Sequence, residues 1–175
     1  MSQEALKPSF KLLKNRSELV GAEIGVYEGI NAKYYLKELD IKCVFLIEPY
    51  TAYENYDLKN LGLRKTLEIA EKIAHATLGS YDHKIRWIKK KSVDAVNFFF
   101  DEILDFVYIV GNHSYASVAE DILLYYPKLK EGGLLAANDY DIKSVKRAVD
   151  EFAEIRALDL HIKDTGELRG KEKYD

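Results

Sequence analysis

The chain lacks most of the features that assign a sequence quickly. A single cysteine, Cys43, stands in an apolar run, so no disulfide can close within the chain, and the thiol reads as buried and inert. No apolar run approaches the roughly 20 residues of a membrane span. The opening MSQEALKPSF has neither the apolar core nor the small-residue cleavage site of a signal peptide, so a cytoplasmic location is expected, with no membrane partner. The formal net charge is only −3, which gives no clustered basic excess for nucleic acid. The basic run KIRWIKKK (residues 84–91) reads as a solvated edge. Internal repeats, low-complexity segments and linkers are also missing. The 175 residues are therefore expected to form one domain, residues 1–175.

What is present is alternation. Hydrophobic residues make up 47% and charged residues 31%, the balance of a globular protein. Ala22–Val26 (AEIGV) reads as a first strand, with Asn31 as N-cap of a helix carrying Tyr34, Tyr35 and Leu39. Cys43–Ile47 (CVFLI) reads as a second strand buried on both faces. A helix is expected over Leu67–Leu78, a strand over Ile85–Ile88 and a helix over Val93–Phe100. Phe106–Val110 is the fourth strand, and Val118–Leu124 a helix stopped before Pro127. KEGG (130–133) reads as a turn into a fifth strand, Leu134–Asn138. An amphipathic helix over Val145–Phe152 and weak strands near Leu160 and Leu168 complete the chain. This order predicts an α/β fold, a doubly wound parallel sheet.

In such sheets ligands bind beyond the carboxyl ends of the strands, where strand order reverses. The residues at those ends are Gly25, Tyr27, Glu28 and Gly29, with Glu23 inside the strand, then Glu48 and Pro49. Lys91 and Ser92 follow the third strand, Gly111 to Tyr115 the fourth, and Asn138, Asp139 and Tyr140 the fifth. EIGVYEG puts Tyr27 where a dinucleotide fingerprint has the glycine that admits a pyrophosphate. Glu48 suits two ribose hydroxyls as an acceptor. Together they fit a nucleoside cofactor better than a dinucleotide, and so disfavour a nicotinamide-dependent oxidoreductase. The plainer alternative is a closely packed turn with Glu48 as a solvated strand end.

EIGVYEG, IEPY and the block DFVYIVGNHSYASVAEDILLYYPKLKEGGLLAANDYDIKSVKRAVDEF resemble the class I S-adenosylmethionine-dependent methyltransferases. The nearest branch is the small-molecule type whose fourth strand ends in Asp-Gly-x-His-x-Tyr, and the likeness covers roughly Gly21 to Phe152. The resemblance implies a Rossmann-like sheet of seven strands, the last antiparallel, with S-adenosylmethionine lying over the first and second. Carried across, Glu23, Gly25, Tyr27 and Gly29 line the methionine end. Glu48 takes the ribose, and Lys91 and Ser92 lie beside the adenine.

Two residues depart from the pattern. Val110 replaces the acid that serves as a metal ligand in relatives such as catechol O-methyltransferases, whose further ligands match Asn138 and Asp139. A hard cation wants several oxygens including carboxylates, and Asp139 with the amides of Asn138 and Asn112 supplies one charge, so no metal site is expected. Lys91 stands where relatives carry an acid for the adenine amine, and a lysine can only donate.

His113 is the candidate general base, with Asp139 as a further base or substrate anchor. The competing role for His113 is structural, tying its loop by a ring hydrogen bond. Tyr115 is expected to pack, Phe98–Phe100 to be core, and His75, His83 and His161 to be surface or packing residues. The function expected is metal-independent methyl transfer to a small molecule. The alternative is a degenerate, non-catalytic relative serving as a binding or oligomerisation module. Little sequence is left for a substrate lid, and a homodimer could supply the missing walls.

Overall fold

The computed structural model describes residues 8–51, 61–158, 160–162 and 168–169. Two readings fall outside them: the absence of a leader in the first residues, and the side chain of His161. After a 3-10 helix, Pro8–Leu13, come β1 (Leu19–Ile24), α1 (Ile30–Glu38), β2 (Ile41–Ile47), α2 (Leu61–Leu78) and β3 (Ile85–Ile88). Then follow α3 (Ser92–Ala95), β4 (Leu104–Ile109), α4 (Tyr115–Tyr125), β5 (Leu129–Ala137) and α5 (Lys143–Ile155). Two short strands, β6 (His161–Ile162) and β7 (Leu168–Arg169), close the order.

The sheet is parallel, in the order β3-β2-β1-β4-β5. Alternation along the strands sends side chains to two cores. On one face Leu19, Val44, Leu46, Phe106, Tyr108 and Leu134 meet Tyr35 and Leu36 of α1, Leu78 of α2 and the ring of Phe10. On the other, Ala22, Ile24, Ile47, Val107 and Ile109 meet Val118 and Ile122 of α4 and Val145, Val149 and Phe152 of α5. Helices on both faces are the doubly wound arrangement that the alternating runs predict.

Among the described residues the main sheet holds five strands, not the seven that the resemblance implies. The strands β6 and β7 are two residues each and pair antiparallel with one another in a separate sheet. β7 lies beside β5 and the N-terminal 3-10 helix but does not extend the ladder. The edge offered by β5 is irregular. Its register jumps from Leu104↔Leu129 to Phe106↔Leu134, Gly132 takes φ 68, and the Gly132 carbonyl accepts from the Arg16 guanidinium at 2.6 Å. KEGG is therefore a bulge inside β5 rather than a turn before it.

Other boundaries shift for local reasons. β1 begins at Leu19 and ends before Gly25, whose φ of 87 is foreign to a strand. The N-cap of α1 is Gly29 at φ 75, not Asn31, which lies inside the first turn. The expected helix over Val93–Phe100 is four α-helical residues followed by a 3-10 turn, Val96–Phe98. Only Phe99 of its three phenylalanines is buried, while Phe98 is 60% and Phe100 83% exposed.

Candidate functional site

Strand order reverses between β1 and β4, and there the ends of the two strands lie close together. Gly25 donates its N–H to the Ile47 carbonyl (3.0 Å), and Val110 donates to that of Ile24 (2.7 Å). A β-carbon built on Gly25 would stand 2.5 Å from Gly111 Cα. Gly25, facing Gly111, therefore lets the strand ends stay together, and the space above them is open. That space is a cleft of about 330 Å³. Gly25, Ile47 and Pro49 line it from β1 and β2, and Lys91, Ser92 and Val93 from the end of β3. Gly111 and Asn112 contribute from β4, and Ser117, Glu120 and Asp121 from α4. The volume is at the small end of the range for small-molecule sites.

The expected cofactor residues divide. Gly25, Lys91 and Ser92 line the cleft. Gly29 serves packing: its added β-carbon would meet the Leu78 side chain at 2.8 Å. Tyr27 holds φ 49 without being a glycine, and its ring is half exposed. Glu23 is fully buried on β1 and interacts with Tyr35, whose phenol is pushed up first by burial and then by the Glu23 charge. It sits in the α1-side core, where Tyr35 and Tyr108 also lie.

Glu48 ties the loop. Its Oε2 accepts from the Val26 and Tyr27 N–H groups at 3.1 and 3.3 Å, and its Oε1 from Tyr50 N–H at 3.1 Å. The Tyr50 hydroxyl completes the tie by donating to the Tyr27 carbonyl at 2.9 Å. A carboxylate has about four acceptor positions, so roughly one remains for a ligand hydroxyl.

The two catalytic candidates come together. His113 Nε2 lies 3.0 Å from Asp139 Oδ2, with side-chain exposures of 44% and 41%, so the pair is open to a substrate. Asp139 reaches this position at φ 62. The His113 carbonyl accepts from Ser144 Oγ at 2.6 Å, anchoring the loop to α5. Asn112 Oδ1 accepts from Ser114 N–H at 2.8 Å, and Ser114 Oγ in turn caps α4 by accepting from Ser117 N–H. Asn138 Oδ1 accepts from the Tyr108 hydroxyl at 2.5 Å. Each side chain that the resemblance would offer a cation thus has at least one protein partner. Among the described residues no group of three or more His, Cys, Asp or Glu is placed to hold a metal ion.

Tyr115 packs as expected, its hydroxyl donating to Glu151 and its ring lying under Arg147. His75 stacks against Trp87, with ring centroids 4.2 Å apart. Sequence reasoning missed the α4 wall. Asp121 is 4% exposed, and burial pushes its carboxyl up to about 6, with Ser92 opposing the rise and the Glu120 charge adding to it. Ser117, Glu120 and Asp121 are three and four residues apart, a spacing that puts them on one helix face and could have revealed them. Among the described residues no helix is long and apolar enough to cross a membrane.

Known proteins share this fold. An uncharacterized protein of Acanthamoeba polyphaga mimivirus is 26% identical over 138 residues, which are 75% of this chain and 58% of that one. The chain thus spans little more than half the length of that relative. The structure of the O-methyltransferase NovP superposes with a TM-score of 0.71 at 18% identity, covering 95% of this chain and 76% of the other. A methyltransferase from Geobacter sulfurreducens gives 0.64 at 12% identity, again covering 95% and 76%. Both likenesses concern the fold. The sequence pattern described as a methyltransferase domain matches residues 22–140, from inside β1 to the tyrosine after Asp139. The chain belongs to this family of methyltransferase domains.

Proposed function

We propose that the chain binds S-adenosylmethionine in the cleft over Gly25 and Gly111 and transfers its methyl group to a hydroxyl of a small molecule, without a metal ion. The observation that carries this reading is the His113–Asp139 pair, open to solvent on the loops that follow β4 and β5. The backbone at Gly25 and the walls at Lys91, Ser92 and Asp121 would hold the cofactor, and Glu48 would shape the loop beneath it. Bound there, the cofactor supplies an electrophilic methyl group.

The chain's own part is to orient the acceptor and remove its proton. With Nε2–H directed at Asp139, the neutral imidazole carries its lone pair on Nδ1. That nitrogen would take the proton from the acceptor hydroxyl, and Asp139 holds the ring in the tautomer that allows it. Val110 and the partnered oxygens of Asn112, Asn138 and Asp139 support a metal-independent route.

A second reading, a degenerate, non-catalytic binding or oligomerisation module, draws on Glu48, whose carboxylate is largely engaged by backbone N–H groups and so has little left for a ribose. Calorimetric titration with S-adenosylhomocysteine and with NAD tests the cofactor reading. Binding of the first and not the second is expected, and no binding of S-adenosylhomocysteine would refute it. Methyl transfer to a panel of phenols and catechols then separates enzyme from module.

A further inference from the structure

The α4 wall of the cleft holds an acid that takes no part in the proposed proton transfer. Asp121 lines the cleft although it is 4% exposed, and its carboxylate accepts from the Ser92 hydroxyl. Ser92 is itself fixed, since its main-chain carbonyl accepts from the Tyr125 hydroxyl at 2.9 Å. One of about four acceptor positions of the carboxylate is thereby used, and a buried acid gains from any further N–H donor. Lys91, on the same side of the cleft as Ser92, can only donate. Asp121 is the buried side-chain acceptor that lines this part of the cleft.

We propose that Asp121, held by Ser92, is the specificity-determining acceptor of the cleft and selects ligands that present an amino edge to it. This rests on the cofactor reading above, in which that edge is the exocyclic amine of adenine. An ionised carboxylate accepts and cannot donate, so a ligand with an oxo group in the same place sets two acceptors against each other. Sites with buried polar groups discriminate strongly because the wrong ligand leaves those groups unpaired. Protonation gives Asp121 an O–H donor and should relax the preference. With the carboxyl pushed up to about 6, that change falls within reach of ordinary buffers. The other titratable groups around it are Lys91 from the β3 side, Glu120 on its own helix and Tyr125 behind Ser92.

The test compares S-adenosylhomocysteine with S-inosylhomocysteine, identical except for the base edge, by calorimetry on the full chain at pH 7.5 and pH 5. The wild type should prefer the adenosyl ligand at least about tenfold at pH 7.5. That preference should shrink several-fold at pH 5. Asp121→Asn, whose amide both donates and accepts, should bring the two affinities within about threefold at either pH. Equal affinities in the wild type at pH 7.5, or a preference that survives both the variant and the acid buffer, would overturn the assignment. Should the variant not fold, the two wild-type measurements decide alone. A wild type that binds neither ligand refutes the cofactor reading and this one with it. Binding of both at a ratio indifferent to Asp121 and to pH refutes only this one.

Discussion

A β-carbon added to Gly25 would lie 2.5 Å from Gly111 Cα and 2.7 Å from the Val110 carbonyl carbon. The collision is between two strand ends, at the point where the sheet reverses its order, and Gly25 also holds φ 87. Any side chain there adds left-handed strain of about 1–2 kcal/mol to the forced separation of β1 and β4. Gly25→Ala should lower the unfolding free energy by at least about 2 kcal/mol, read from the urea midpoint, and should abolish binding of S-adenosylhomocysteine. A variant of unchanged stability would show that the strand ends part easily.

Gly21 tests packing far from the cleft. It pairs with Phe106 across β1 and β4, and a β-carbon on it would lie 2.1 Å from Phe106 Cζ. The ring occupies the volume the glycine leaves, and overpacking of a dense core costs about 1–3 kcal/mol or more. Gly21→Ala should therefore destabilise strongly, and Phe106→Leu in the same chain should recover part of the loss. Additive costs in the double variant would argue against a shared volume.

Glu48 should reveal itself even without ligand. Its carboxylate holds three backbone N–H groups of the loops after β1 and β2. Hydrogen bonds to a charged group contribute about 1.5–3 kcal/mol, so Glu48→Ala should lower stability in the ligand-free protein by about that amount. A variant that loses only affinity would make Glu48 a pure ribose acceptor, as the sequence suggested.

The element order is legible because parallel strands buried on both faces must be apolar runs, and Cys43–Ile47 and Phe106–Ile109 are such runs. Gly25 is legible for the same reason that it is needed, since a loop after a strand that turns at positive φ favours glycine. The His113–Asp139 contact is not legible. The two residues follow different strands, and only the neighbouring placement of β4 and β5 joins them. Asp121 was hidden by its surroundings, because Val118 and Ile122 make its helix read as a packing element. The cap of α1 was misassigned because side-chain chemistry favours Asn31, whereas the close approach of Leu78 leaves no room for a side chain at position 29. The bulge at Gly132 has the same residues as a turn, and only its register against Leu104 and Phe106 distinguishes them.

Asp121 also predicts a pH dependence of stability. Its carboxyl is pushed up from 3.8 to about 6 by burial, so the folded state holds the proton more tightly than the unfolded one. Its contribution is therefore most favourable below about pH 4, declines as pH rises through the window to about 6, and is constant above it. The span is on the order of 2–3 kcal/mol. Urea unfolding from pH 4 to 7 should show Asp121→Asn gaining on the wild type through that window. Parallel curves for the two proteins would remove the carboxylate as the cause.

The last expectation concerns metal ions. Val110 follows β4 where a carboxylate would be needed, Asp139 is committed to His113, and Asn138 Oδ1 to the Tyr108 hydroxyl. A hard divalent cation needs several oxygens including carboxylates, so Mg²⁺ should bind the wild type only weakly, above about 1 mM. Methyl transfer should survive EDTA. Val110→Asp places a second carboxylate beside the Asn138–Asp139 corner and should produce calorimetrically measurable Mg²⁺ or Ca²⁺ binding. Adding His113→Ala should tighten it further, because the imidazole no longer competes for Asp139. Tight wild-type binding, or activity abolished by EDTA and restored by Mg²⁺, would show that the oxygens at this corner exchange their protein partners for a metal, and the metal-independent route would fall.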